Sequence, residues 1–173
     1  MASEPVEIEL VPAGGGRLRV EWEREALVDL SGAPAGRLLA DAGGSPWRLE
    51  GEVGEGALRI VSAGFEDGSV LALAAFRPSG AEGHDSELVR AVVTGADGEL
   101  TTCEDALLST EYGPKGEVRR IGLELYPDPE AVPLRGSGES IERAAGGDSD
   151  RVAMSFRMAG ARGVGLYDLL RAG

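Results

Sequence analysis

Short segments in which apolar and polar residues alternate recur along almost the whole chain. Because successive side chains of an extended strand point to opposite faces, this period of two predicts half-buried β-strands. Strands are predicted over residues 6–11, 17–23, 47–53, 57–65, 69–76, 88–94, 99–104, 105–112, 117–126, 134–141 and 151–158. Residues 164–170 are predicted to form a final strand or a short helix, and residues 24–44 a connection with one short strand or helical turn around residues 37–40.

Turn signals join three pairs of these segments. Asp67-Gly68 and Asp97-Gly98 are typical of tight hairpins, in which the turn residues adopt positive φ. In Gly113-Pro-Lys-Gly116 the proline presets φ and the last glycine permits a positive φ, which favours a four-residue loop. The registers expected from these turns place Phe65 opposite Val70, Cys103 opposite Val92, Arg90 opposite Asp105, and Asp105 opposite Glu124.

The number and spacing of the strands indicate the fold class. Roughly nine to eleven short strands, separated by turn signals about every ten residues, predict an all-β fold. An antiparallel barrel is favoured over a β-sandwich, because closing the sheet removes exposed edges and leaves an interior that can hold a small ligand. A chain of 173 residues fits a single domain, residues 1–173.

The segment Val70–Phe76 is apolar on both faces. A strand that is exposed to water on one side would carry polar residues at alternate positions. We therefore expect a second sheet, a partner subunit or a ligand to cover the outer face of this segment.

Charge and composition exclude several classes of function. The net charge is −13, and no run of Lys and Arg forms the basic surface that nucleic-acid binding requires. The N-terminus lacks a signal peptide, and the longest apolar run is too short to span a bilayer, so we expect a cytoplasmic protein without a membrane segment. Cys103 and His84 are each alone, which excludes a zinc site with several Cys or His ligands but leaves open a carboxylate-only site for calcium or magnesium; no cofactor is predicted.

A charged cluster is the first candidate site, and the expected registers bring together Arg90, Asp105, Arg120 and Glu124. If this face points inward, low dielectric separates the pKa values of paired carboxylates, which suits Asp105 and Glu124 to proton transfer beside Arg120. If the face points outward, it carries exposed ion pairs worth about 0 to 1 kcal/mol each. The pattern leaves both interpretations open.

Aromatic residues are the second candidate. Trp22, Trp47, Tyr112, Tyr126 and Phe156 are suited to line a hydrophobic pocket, although ordinary core packing is the more common role of any one such side chain. His84 lies beside Asp85 in a predicted glycine-rich loop; His titrates near neutral pH, which suits catalysis, but neighbours in sequence rarely orient each other as a dyad.

The segment from Ser155 to Asp168, SFRMAGARGVGLYD, combines a strand, a glycine turn and a Gly-x-Gly element before an acidic residue. It resembles the end of the lipocalin-like domains in the carotenoid hydratase (hydroxyneurosporene synthase) group. The hairpin at residues 111–120 is compatible with that pattern. The two motifs cover under a fifth of the chain.

The resemblance implies a lipocalin-like barrel, an isoprenoid-like or polyketide-like substrate, and acid-catalysed hydration or cyclisation. Members usually carry two such domains, whereas this chain has room for one, so a homodimer would have to supply the second. No catalytic residue of the group can be matched to this sequence.

Two hypotheses follow. In the first, a lipocalin-like barrel binds a hydrophobic small molecule, with Asp105 and Glu124 as proton donors and Arg90, Arg120, both tryptophans, Tyr112 and Tyr126 at the ligand. In the second, the protein is a noncatalytic structural or interaction module that self-associates through the apolar face of residues 70–76.

Overall fold

Twelve β-strands and one short helix make up the described part of the chain in a computed structural model. The description covers residues 5–12, 16–32, 46–79, 87–128, 130, 132–143 and 149–171. The elements are β1 Val6–Leu10, β2 Leu18–Trp22, α1 Arg24–Leu30, β3 Trp47–Glu50, β4 Ala57–Phe65, β5 Val70–Arg77, β6 Leu88–Thr94, β7 Leu100–Cys103, β8 Asp105–Tyr112, β9 Val118–Tyr126, β10 Leu134–Arg143, β11 Ser149–Met158 and β12 Ala161–Arg171.

Nine of these strands form one antiparallel sheet in the order β7-β6-β5-β4-β12-β11-β10-β9-β8. The strands at the two ends of that order, β7 and β8, follow each other in the chain with only Glu104 between them. One bent segment therefore joins both edges, and β6 contacts β8 across the seam. The sheet is a nearly closed barrel, which confirms the predicted all-β antiparallel fold.

The inward face of the barrel is apolar and closely packed. It is formed by alternate residues of all nine strands, among them Val61, Phe65, Leu73, Leu108, Ile121, Leu123, Met154 and Phe156. The core side chains of this face are at most 8% exposed. An internal cavity able to hold water would leave its lining accessible, so these residues fill the interior rather than surround a wide hollow.

The N-terminal strands form a second layer outside the barrel. The sheet β1-β2-β3 and the helix α1 pack against the outward residues of β4, β5, β6, β11 and β12. This layer explains the doubly apolar segment Val70–Phe76, because both of its faces are buried within the same chain. The covering element is another sheet, which is one of the three possibilities left open by the sequence.

The helix α1 lies within the segment that was predicted to be a connection. It buries Leu27 and Leu30 against the barrel wall. Gly64 permits this close approach, since a β-carbon at that position would lie 2.3 Å from the Leu27 carbonyl oxygen. The predicted turn or strand at residues 37–40 lies outside the described residues. No helix in the described ranges has the length and apolar character needed to cross a membrane.

Two tryptophans and two buried polar groups join the layers. Trp22 and Trp47 are cross-strand neighbours on β2 and β3. The indole N–H of Trp22 donates to the Ser62 hydroxyl at 2.9 Å, and that of Trp47 donates to an Asp168 carboxylate oxygen at 2.8 Å. Because buried polar groups are stable only when hydrogen-bonded, these contacts fix how the N-terminal sheet sits on the barrel.

Each predicted hairpin forms, but with a different loop. Gly68, Gly98 and Gly116 have φ of 88°, 88° and 78°, and the loops close through hydrogen bonds between residues 65 and 69, 95 and 99, and 113 and 117. These are three-residue loops that end in a left-handed glycine, a common alternative to the two-residue turn. The registers of β4–β5 and β6–β7 therefore differ by one residue from those expected, and Cys103 faces Ala91.

Candidate functional site

The face that carries Asp105, Arg120 and Glu124 lies on the outside of the barrel. Asp105 and Arg120 are exposed and Glu124 is half-buried, whereas Leu108 and Ile121 at alternating positions pack inside. The N-terminal layer covers a different part of the wall, so this face meets solvent. The inward-facing interpretation is wrong, because the interior takes the apolar face of β8 and β9. The catalytic roles of Asp105 and Glu124 stay predictions that this placement does not favour.

The partners of Glu124 also differ from those expected. An irregularity between Glu111 and Tyr112 shifts the register further, so Asp105 faces Tyr126 and Glu124 faces Leu107. Glu124 pairs instead with Arg135 of β10 at 3.2 Å and accepts a hydrogen bond from the Tyr126 hydroxyl at 3.1 Å. That hydrogen bond raises the pKa of Tyr126. Arg120 lies opposite Glu111, at a distance along the strand from Glu124.

The remaining candidate residues do not converge on one site. Trp22 and Trp47 lie between the two layers, and Tyr112 is exposed. Arg90 donates a hydrogen bond to the Val89 carbonyl oxygen at 3.0 Å and is not opposite Asp105. The predicted aromatic pocket is therefore not formed by these side chains. His84 lies outside the described residues.

The barrel interior contains a polar cluster that the sequence analysis did not identify. Arg59 of β4 points inward at one end and forms an ion pair with Glu87, which precedes β6. The side chains are 12% and 1% exposed. Arg59 also donates to the Thr110 hydroxyl at 2.8 Å and approaches the Leu108 carbonyl oxygen at 3.4 Å. The arginine thus links β4 to β8 across the seam of the barrel.

Tyr167 of β12 completes this cluster. Its side chain is fully buried, and burial raises the pKa of its hydroxyl. Arg59 and Thr110 lie close enough to oppose that rise in part, yet the hydroxyl forms no hydrogen bond of normal geometry with any described residue. Arg59, Glu87, Thr110 and Tyr167 are called the interior cluster below. It places a charged pair and a tyrosine hydroxyl in an otherwise apolar interior.

A weak signal for this cluster exists in the sequence. Arg59 interrupts an alternating apolar series of Ala57, Val61 and Ala63, all of which turned out to face inward. A single charge on an apolar strand face is a candidate for a buried functional group. Glu87 carries no such signal, because it precedes β6 and is not part of an alternating strand segment.

Comparisons with known proteins add little to this geometry. No protein-family description matches the chain, and no curated protein matches it. A crystal structure of a protein from Nitrosomonas europaea provisionally named AttH matches with a TM-score of 0.49 and 17% identity over 72% of this chain. This chain spans 43% of the length of that protein.

Proposed function

We propose that the protein binds a small molecule with a polar end and a short apolar body at the interior cluster. The observation that carries the proposal is the buried Tyr167 hydroxyl, which lies beside Arg59 and Thr110 but forms no hydrogen bond of normal geometry with a described residue. Leaving such a group unsatisfied costs about 1–3 kcal/mol. A ligand hydroxyl, carbonyl or carboxylate at this position would satisfy it and share the donors of Arg59.

The ion pair beside Tyr167 supports the same proposal. Arg59 and Glu87 are both largely removed from water, and burying two charges is expensive even when they are paired. An apolar pair of similar size would often be as stable. A polar group retained at the end of an apolar barrel is a recurrent feature of small-molecule sites, where a few polar groups orient a mostly apolar ligand.

Packing of the interior limits the size of the ligand. The core residues beyond the cluster are at most 8% exposed, so they leave little room for a long chain. The proposal therefore favours a short ligand over the long isoprenoid that the family resemblance implies. Acid–base chemistry by Asp105 and Glu124 is not part of it, since both side chains lie on the outer face.

A matched set of probes tests the proposal. We would titrate the protein with 1-octanol, octanoate and the longer isoprenoid alcohol farnesol, and measure binding by native mass spectrometry and calorimetry. Tyr167→Phe should weaken binding of the preferred C8 probe about five- to tenfold, the loss expected for one hydrogen bond. Thr94→Val is the control, because the Thr94 hydroxyl is also buried without a described partner but lies outside the cluster.

The possible results distinguish binding at the interior cluster from binding elsewhere and from no binding. A C8 probe that binds, and loses affinity with Tyr167→Phe but not with Thr94→Val, supports the proposal. Equal losses in both variants would show that binding is elsewhere. Binding of none of the probes by the folded protein would contradict the proposal.

The packed interior also favours a second candidate, a noncatalytic module that acts through its outer surface. Self-association through Val70–Phe76 is not available to it, because the N-terminal layer already covers that face. A homodimer would have to use another surface. Light scattering at several protein concentrations tests this candidate, and a monomer at all of them would contradict the dimer.

A further inference from the structure

A second group of charged residues lies on the outside of the barrel, on the opposite face of the wall from the interior cluster. Arg135 of β10, Arg157 of β11 and Arg162 of β12 line an open cleft of about 560 Å³, together with Ser137 and the turn Ala159-Gly160. Arg157 and Arg162 are exposed. This group is called the arginine cleft.

The position of Arg157 and Arg162 distinguishes this cleft. They face each other directly across the β11–β12 hairpin. The Arg162 carbonyl oxygen accepts a hydrogen bond from the Glu66 N–H on the β4 side, so the pair with Arg157 is of the non-hydrogen-bonded kind, in which side chains are closest. Like charges directly opposite each other destabilise a strand pair.

No described carboxylate lies within ion-pair distance of this pair, although Glu66 is the cross-strand neighbour of Arg162 on the β4 side. Neither Arg157 nor Arg162 has an ion-pair partner within the part of the chain that the structure describes. The contrast is with Arg17, Arg19, Arg59 and Arg151, each of which is paired with a carboxylate. In a chain with sixteen arginines and thirty acidic residues, two adjacent arginines that form no ion pair with a described carboxylate leave a local positive charge for an external anion.

The third arginine is held in place by neighbouring groups. Glu124 contacts the Nε of Arg135 at 3.2 Å, and the Tyr126 hydroxyl donates to the other oxygen of Glu124. This arrangement leaves the terminal nitrogens of Arg135 as donors. Ser137, directly opposite Arg157 on β10, adds a hydroxyl. Tyr126 and Glu124 therefore hold the Arg135 side chain in position.

We propose that the arginine cleft binds a small anion that carries two or more acidic oxygens, such as a phosphate or a dicarboxylate. Guanidinium groups bind planar or tetrahedral oxyanions through paired, charge-assisted hydrogen bonds. The net charge of −13 repels extended polyanions, so a compact anion fits the cleft better than a nucleic acid or an anionic membrane does. The site is independent of the interior cluster, and either can fail without the other.

The test uses thermal unfolding and calorimetry of the full chain at constant ionic strength, with inorganic phosphate and succinate as separate probes and chloride as the reference. An anion that binds only the folded state raises the unfolding temperature as its concentration increases. Arg157→Gln and Arg162→Gln should each weaken binding at least about tenfold. Arg171→Gln, an exposed position on the same strand β12, should leave it unchanged.

A second readout is independent of the ligand. Without the anion, Arg157→Gln should unfold at a slightly higher temperature than the wild type, because it relieves the like-charge pair. The preferred probe identifies the anion as tetrahedral or planar. The proposal is overturned if neither probe stabilises the protein more than chloride does, or if Arg171→Gln loses as much affinity as Arg162→Gln.

Discussion

Arg151–Asp168 and Arg59–Glu87 are two ion pairs of nearly equal burial on opposite faces of the barrel wall. Their arginine side chains are 11% and 12% exposed, and both carboxylates are 1% exposed. The first pair lies under the N-terminal layer and the second lies in the interior. The physical difference between them is how completely their surroundings are hydrogen-bonded.

In the outer pair, both oxygens of the Asp168 carboxylate accept hydrogen bonds from within the protein. Arg151 contacts both oxygens of Asp168, at 2.6 and 3.3 Å, and Trp47 donates a further hydrogen bond to one of them. The inner pair lies beside the Tyr167 hydroxyl, which has no described partner. A satisfied network stabilises one arrangement, whereas donors that are left over provide a place for a ligand. Burial alone does not distinguish a structural pair from a candidate site.

The largest effect is expected from breaking the outer pair. Asp168→Ala removes the buried carboxylate that pairs with the largely buried Arg151, and we expect a loss of about 3–5 kcal/mol in the free energy of unfolding. Urea unfolding followed by circular dichroism measures it. The double variant Arg151→Met/Asp168→Leu should recover most of the loss, because no charge stays buried. A loss below about 1 kcal/mol for Asp168→Ala would mean that the network is not structural.

Removal of the tryptophan contact should have a smaller effect. Trp47→Phe eliminates the hydrogen bond to Asp168, which is worth about 1.5–3 kcal/mol for a charged acceptor. Because the substitution also changes packing, a double-mutant cycle with Asp168→Ala isolates the hydrogen bond. A coupling free energy near zero would show that Trp47 contributes through packing alone.

Tyr167→Phe should raise the free energy of unfolding, whereas the two preceding substitutions lower it. The substitution removes a buried hydroxyl without a partner, so the ligand-free protein should gain about 1 kcal/mol in unfolding free energy. Ser62→Ala is the matched control, since its hydroxyl accepts a hydrogen bond from Trp22 and its removal should destabilise the protein. Loss of stability in Tyr167→Phe would indicate that the hydroxyl is already satisfied.

The smallest effect is a gradual loss of stability at alkaline pH. Burial raises the pKa of Tyr167 above its ordinary value near 10, so above about pH 10 the unfolded chain releases a proton that the folded protein retains. Stability is therefore complete below that pH and falls as pH rises through the folded-state pKa, by at most about 1.4 kcal/mol per pH unit for one proton. Unfolding curves of the wild type should show a steeper decline than those of Tyr167→Phe. Identical slopes would contradict the assignment.

The strands themselves could be predicted from the sequence with small errors at their ends. Each depends on its own alternation of apolar and polar residues, which is a local property. Residues 164–170 were left between strand and helix, and the structure makes them part of β12, paired with β11 and β4. The helix α1 was missed because Leu27 and Leu30 are too few to establish a helical period.

Registers were less predictable because they depend on single residues in the loops. One extra loop residue before the left-handed glycine moves every pair along a hairpin by one position. The predicted pairing of Asp105 with Glu124 failed because the loop after Gly113 has three residues instead of the predicted four, which shifts the register by one position. The irregularity between Glu111 and Tyr112 shifts it by one more. Both are changes of a single residue, and a periodic pattern of apolar and polar positions does not record them.

Alternation along the sequence determined the all-β composition, the antiparallel hairpins and the presence of a strand that needed covering on both faces. Only the tertiary structure decided which face turned inward and which layer covered it. It also decided that Arg59 and Glu87, on either side of β5, meet in the interior. The reason is that alternation specifies two faces of a strand but not the direction in which a sheet curves, and closure of the barrel brings together residues that share no local pattern.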